Sequence, residues 1–261
     1  MTLLDGKYGL ILGIANERSY AWHIAQALEE AGAELAFNAL PGEKNEARTR
    51  FAVDALHIPD PWIRPCDVCK DEDVDRLFEA YARDFKRLDF VVHSVAFADR
   101  EYLQPGKFIE TPRASFLMAL DISVYSLIAV ARRARPLMAA AGGGSIMTMS
   151  HYGGDKVFPG YNAMGACKAA LEASVRYLAE ELGPEKIRVN AISGGAFKTL
   201  AASGIGGLKS MLAETERRSP LRRGVEGVDV GGTAVYLASE LSSGVTGATL
   251  FVDCGMNILG A

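Results

Sequence analysis

The sequence predicts an α/β protein built as a doubly wound parallel sheet in a single domain, residues 1–261. Three observations predict it. Short apolar runs alternate with longer amphipathic segments from end to end, the pattern of βαβ units. Several of those runs are apolar throughout, as strands covered on both faces are. No Pro-, Gly- or Ser-rich linker, repeat or low-complexity tract divides the chain, and its length suffices for one large core.

The elements come in order. Tyr8–Gly13, "YGLILG", is a strand ending in glycine. Ser19–Ala31 has helical spacing, with Trp22, Ile24, Ala25 and Leu28 able to share a face and Gly32 as the stop. Ala33–Asn38 is the second strand, Lys44–Leu56 a polar amphipathic helix, and Trp62–Pro65 a short strand before Cys66 and Asp67. Asp71–Phe85 is a helix whose first turn carries the acidic residues that the helix dipole favours. Asp89–Phe97 is a strand, Ala114–Ala141 one long helix, Gly143–Ser150 a strand and Tyr161–Leu182 a second long helix. Ile187–Ser193, Val228–Ser239 and Ala248–Asp253 close the chain as strand, helix and strand. The regularity breaks at Gly194–Pro220; within it, residues 196–217 are expected to form a substrate lid.

Composition narrows the function. A net charge of −4 offers no basic face for nucleic acid. No apolar run reaches the roughly 18 residues that span a bilayer, and the N-terminus has no signal-peptide pattern. A cytoplasmic protein is expected. The four cysteines read as reduced thiols. Cys66 and Cys69 form a C-x-x-C without a second ligand pair, so no metal site is expected.

In such sheets ligands bind beyond the carboxyl ends of the strands. Gly13 ends the first strand and Ser19 opens the next helix, whose free amides and positive dipole end suit a pyrophosphate. A Ser19 hydroxyl can also donate to a phosphate oxygen. A turn glycine and a capping serine would explain both residues equally well. Asp67 and Ser94 stand at other strand ends, and Asp67 can accept from an adenine amino group. The second strand ends in "FNALPGEK": Lys44 lies a little further on, and neither sign of charge occupies the tip, where a 2′-phosphate would need an Arg or Lys. That favours NADH, with NADPH the lesser choice.

Tyr161 and Lys168 stand seven positions apart, two turns along one helical face if both are helical. A lysine near a tyrosine hydroxyl lowers the cost of the phenolate, making the tyrosine a better acid. An aromatic anchor beside a surface lysine would look the same. Tyr152 and Lys156 form a second pair, four apart, ahead of that helix.

The stretches "GIANERSYAWHIAQAL", "VVHSVAFA", "GYNAMGACKAALEASVRYLAEELGPEKIRVNAIS", "KTLAASGI" and "PLRR" carry a resemblance. From about Leu3 to Gly260 the chain resembles the bacterial NADH-dependent enoyl-[acyl-carrier-protein] reductases of the short-chain dehydrogenase/reductase superfamily, which have the Rossmann fold. Tyr-x6-Lys separates that group from ordinary members, which use Tyr-x3-Lys. The resemblance implies reduction of the C2=C3 bond of a trans-2-enoyl thioester on acyl carrier protein or coenzyme A, the last step of fatty acid elongation, in a homotetramer. It implies Gly13, Ser19 and Tyr20 at the pyrophosphate, Leu40, Asp67 and Val68 at the adenine, and Ser94, Val95 and Ala96 along the cofactor groove. Phe197 and Thr199 would lie over the nicotinamide and pyrophosphate, and Lys168 on the ribose. Ala98, Met164, Leu208 and Met211 would border the substrate, and Tyr161 would hold the thioester carbonyl.

The sequence departs from the family pattern at four places. His151 stands where a second tyrosine is usual, with Tyr152 one place later, so either is a candidate catalytic group. Ala196 replaces a proline, which frees the start of the lid, and Leu40-Pro41 replaces a glutamine. Of several basic residues usual in the lid helix, "GIGGLKSML" keeps Lys209, which leaves carrier-protein docking open. Two other readings stand beside the reductase: a carbonyl or hydroxyl oxidoreductase using Tyr152/Lys156 or His151, and a nucleotide-sensing scaffold.

Overall fold

Alternation along the strands places every element. The structure, a computed structural model, describes residues 2–199 and 208–260, with the backbone alone for residues 208–211. In β1 (Tyr8–Leu12), Leu10 and Leu12 enter one core layer and Ile11 the other. In β4 (Phe90–His93), Val91 goes one way, Phe90 and Val92 the other. Successive strand side chains point to opposite faces, so each strand feeds two cores.

The remaining strands are β2 (Glu34–Ala39), β3 (Trp62–Pro65), β5 (Gly144–Ser150), β6 (Ile187–Gly194) and β7 (Thr249–Val252). All are parallel, in the order β3-β2-β1-β4-β5-β6-β7. One face is covered by α3 (Asp71–Asp84), α5 (Ser126–Ala140) and α6 (Ala163–Leu182); the other by α1 (Tyr20–Glu30), α2 (Glu43–Asp54) and α8 (Gly227–Ala238). The order reverses between β1 and β4, which opens a crevice at their carboxyl ends.

All seven expected strands form. Four local expectations change. The fourth strand ends at His93, because past the Ser94 N–H, which still bonds Leu12 O at 3.0 Å, the chain leaves the sheet. The expected single helix at 114–141 is α4 (Arg113–Leu120) and α5 joined by a π turn at Asp121–Tyr125. Tyr161 is not in a helix: α6 starts at Ala163, after Asn162 with φ +47° and ψ −120°. The stretch read as irregular contains α7 (Leu208–Arg218).

The membrane expectation also needs correction. By length and composition, the helical run Arg113–Ala140 is apolar enough to cross a membrane, and 44% of its most apolar stretch is buried in the fold. Asp121 interrupts it, so no uninterrupted apolar run showed in the sequence. Leu127, Val130, Ala134 and Met138 of this run fill the core beneath the sheet.

Close packing within the sheet gives a direct test. A Cβ added at Gly9 would lie 1.9 Å from the buried Phe90 ring. Gly9→Ala should therefore lower stability by about 1–3 kcal/mol in urea unfolding. An unchanged midpoint would show that the ring moves aside freely.

Candidate active site

A cavity of about 310 Å³ opens at the carboxyl ends of β1, β4, β5 and β6. Its floor depends on a glycine. Gly13 has φ +99°, and a Cβ there would lie 2.2 Å from Ser94 O. Only glycine lets the turn after β1 pass so close to the end of β4. The Gly13 N–H donates to Asn38 Oδ1 at 3.0 Å, and the Asn38 amide donates to Cys66 O at 3.3 Å. One buried asparagine thus ties the ends of β1, β2 and β3 together.

Ser19 caps α1. Its Oγ accepts from Trp22 N at 3.3 Å and donates to Asn16 O at 2.7 Å. Without a ligand the hydroxyl is thus engaged within the capping turn, at the edge of the cavity. Tyr20 forms a side wall. Its ring stacks on Phe197 at 4.9 Å, and its hydroxyl donates to Gly195 O at 2.8 Å.

The polar end of the cavity lies over α6 and β5. Lys168 is buried, and its Nζ donates to Met149 O at 2.7 Å. Burial pushes its pKa down to about 8. Burial also pushes the Tyr161 hydroxyl well above its usual value, with Cys167 and Glu172 adding to the rise. Against the expectation of a tyrosine made more acidic by Lys168, burial favours the protonated phenol of Tyr161. Its hydroxyl has no partner among the described residues.

His151 stands beside it, with ring centroids 4.8 Å apart. The His151 Nδ1 accepts from Gly153 N at 3.0 Å. In the neutral ring the proton then sits on Nε2. Burial, helped by the Lys168 charge, pushes the His151 pKa down to about 4, so the ring is neutral at pH 7. Tyr152 stacks behind His151 at 4.6 Å and does not line the cavity. Lys156 donates to Asn257 O. Tyr152 and Lys156 therefore do not face each other as an acid–cation pair.

The other site candidates divide by place. Gly13, Ser19, Tyr20, Ser94, Val95, Ala96, Ala98, Met164, Phe197 and Thr199 all line the cavity. Leu40, Asp67 and Val68 do not. Leu40 is exposed beyond β2, and Val68 packs into the core. Asp67 turns one oxygen to Cys69 N at 3.1 Å and stands 3.7 Å from Lys70 Nζ. Leu208 and Met211 contribute backbone to α7, and their side chains lie outside what is described, as do residues 200–207 of the expected lid. Among the described residues no group of side chains is placed to hold a metal ion.

The cavity also has walls that the sequence did not mark. Arg100 and Leu103 enter from the loop after β4. Ser123, in the π turn, accepts from Phe97 N at 3.0 Å and donates to Phe97 O at 3.1 Å, which fixes the backbone beside Ala98. A serine inside an apolar helical pattern, opposite a strand end, was the one signal for it.

A doubly wound parallel sheet with a glycine turn, a helix N-terminus and protonated donors around one switch-point cavity defines a dinucleotide-binding oxidoreductase. Residues 13–257 match the family model described as Enoyl-(Acyl carrier protein) reductase, and the chain belongs to that family. It is 47% identical to an enoyl-[acyl-carrier-protein] reductase [NADH] of Synechocystis, over 98% of each chain. It is 46% identical to a Staphylococcus aureus enoyl-[acyl-carrier-protein] reductase [NADPH], over 99% of this chain and 100% of that one. It superposes on the crystal structure of the Bacillus cereus enoyl-acyl carrier protein reductase with NADP+ and indole naphthyridinone at TM-score 0.96, with 46% identity and full coverage of both chains.

Buried His93 and half-buried His151, both with lowered pKa values, set a pH window. Burial holds His93 down at about 3, and its ring nitrogens lie 3.0 Å from Thr148 Oγ1 and 2.8 Å from Ser126 Oγ. Between about pH 6.5 and pH 4 the unfolded chain takes up a proton at each histidine that the folded chain does not. Stability should therefore fall as pH drops through that window. Imidazole resonances of His93 and His151 that stay at neutral-ring positions down to pH 5.5 would agree; titration of either near pH 6.5 would refute its being held as a neutral ring.

Proposed function

We propose that this protein reduces the C2=C3 double bond of trans-2-enoyl thioesters on acyl carrier protein, the last step of fatty acid elongation, in the cytoplasm and with NADH as reductant. The observation that carries this reading is the pairing of two protonated, uncharged donors, Tyr161 and His151, at the polar end of the cavity.

The residues present fit a nicotinamide dinucleotide. Gly13 keeps the space against Ser94 clear of a side chain, as close passage of a pyrophosphate requires. Backbone amides at the start of α1 would meet the phosphates, with Ser19 beside them at the cavity edge. Lys168 would hold the nicotinamide ribose, Phe197 and Thr199 would cover the ring, and Asp67, Val68 and Leu40 would border the adenine. The first turn of α2 carries Glu43 and Glu46 around Lys44, so no net positive charge stands there for a 2′-phosphate, which supports NADH. The bound nicotinamide supplies the hydride that adds to C3 of the substrate.

The chain's own part is to meet the charge that this addition creates. Electrons move from the double bond onto the thioester oxygen, giving an enolate that then takes a proton at C2. Tyr161 donates its hydroxyl hydrogen bond to that oxygen, and the Nε2–H of His151 is the second donor. Donors fixed before the reaction stabilise the transition state more than the substrate, because the charge is larger there. Met164 and Ala98 border the acyl chain, with Leu208 and Met211 assigned to the same role on the lid.

The ketone or alcohol reading loses its acid–cation pair, since Tyr152 lies behind His151 and Lys156 bonds Asn257. A homotetramer is supported by exposed apolar side chains on the long helices, among them Leu117, Met118 and Tyr125 on the 113–140 run and Tyr177 on α6.

NADH oxidation with a medium-chain trans-2-enoyl thioester tests the proposal. Tyr161→Phe should lower kcat by about 10²-fold or more, and His151→Ala by a smaller factor. A wild-type protein inert with this substrate class would sink the reading. A second expectation concerns alkaline pH. Lys168 is cationic below its value of about 8, so affinity for NADH should weaken as pH rises past that point. Binding that stays constant to pH 9.5 would remove Lys168 from cofactor binding.

A further inference from the structure

Tyr161 is held in place by its neighbour rather than by the helix. Asn162, between Tyr161 and α6, has φ +47° and ψ −120°. A residue with a Cβ rarely adopts such a backbone, and it persists only where the surroundings hold it. The side chain shows what holds it. The Asn162 amide nitrogen donates to Tyr102 O at 2.6 Å and to Gln104 O at 2.8 Å. Both hydrogens of one amide are thus fixed on one short loop. That loop carries Arg100 and Leu103, which line the cavity. The backbone after Asn162 is anchored too: Met164 N bonds Tyr161 O and Gly165 N bonds Asn162 O, each at 3.0 Å. The strained residue therefore joins three things: the Tyr161 backbone, the start of α6 and a substrate-side wall.

We propose that Asn162 is a positioning residue, setting where the Tyr161 hydroxyl stands and coupling it to the loop that carries Arg100 and Leu103. The inference rests on the reading of Tyr161 as the donor to the thioester oxygen. Substrate pressing on the loop then acts on the same amide that fixes the tyrosine, so wall and donor move as one unit. Asparagine suits the place on two counts. It tolerates a positive φ better than most residues, and its amide offers two hydrogens to two carbonyl oxygens. Aspartate keeps the size but offers neither hydrogen. Glycine keeps the turn without strain but has no amide.

The test uses the full chain with NADH and a medium-chain trans-2-enoyl-coenzyme A thioester. Asn162→Gly, Asn162→Asp, Tyr161→Phe and the double variant Asn162→Gly/Tyr161→Phe are compared with wild type for kcat, KM, NADH affinity by fluorescence and melting temperature. Asn162→Gly and Asn162→Asp should each lower kcat by about tenfold or more, because a small misplacement of a catalytic group costs that much. NADH affinity should stay at the wild-type value, and the double variant should be no slower than Tyr161→Phe alone, as for residues acting through one group. An unchanged kcat in Asn162→Gly overturns the proposal. So do losses that multiply in the double variant, and so does a drop in melting temperature or NADH affinity that accounts for the lost rate. A fully active Tyr161→Phe instead overturns the reading of the tyrosine, and the Asn162 proposal with it.

Discussion

The approach of the β1 turn to the end of β4 is the constraint on which the rest of the structure depends. Gly13 and Ser94 meet with no room for a side chain. Because they meet, the crevice at the strand-order reversal is narrow enough to have two walls, and Asn38 holds the neighbouring strand ends level with it. The sheet order brings β4, β5 and β6 into line beside that point. The lining of the cavity is then delivered by the residues just beyond each strand: Ser94 after β4, His151 after β5, Ala196 and Phe197 after β6.

The site is built mainly of uncharged donors around one buried cation. Tyr161 and His151 are both held neutral by the same cause, desolvation: it keeps the proton on the phenol and leaves the imidazole with one N–H. Lys168 pulls in the same direction on His151, since a second positive charge beside it is unfavourable. A neutral pair of donors carries a smaller desolvation cost than an ionic pair and still meets developing negative charge. The fold supports this arrangement from below. The glycines at 153 and 154 let a tight turn lie on α6, where a Cβ at Gly154 would come within 2.9 Å of Ala169 N. That turn supplies the N–H that fixes the His151 tautomer.

Much of the fold was legible in the sequence, for a physical reason. Strands buried on both faces are apolar along their whole length, and the seven runs stand apart from the helices between them. The misreadings share a cause as well. "VVHSVAF" stays apolar past His93 because its second half lines a cavity rather than a sheet. The π turn adds one residue to a helix and barely disturbs its period. Tyr161 looked helical because nothing in "GYNAMG" announces the positive φ at Asn162. In the site, Gly13, Ser94, Tyr161 and Lys168 were legible because strand ends and one spacing marked them. Arg100 and Leu103 were not, since their loop carries no periodic pattern. The engagement of the Ser19 hydroxyl depends on a local acceptor that only the folded chain brings to it.

The π turn at Asp121–Tyr125 reaches beyond its own five residues. Each residue of an α-helix turns the chain by about 100°. An inserted residue therefore fixes the rotational phase of everything on one side against everything on the other. Excising a single residue there would leave a regular helix, but α4 and α5 would no longer present their present faces together. With α5 keyed into the core by Leu127 and Val130, α4 would have to swivel. Ser123 would be carried away from the Phe97 peptide it grips with both donor and acceptor. The extra residue works as a phase shim: a change of length with no change of chemistry would misalign the wall beside Ala98.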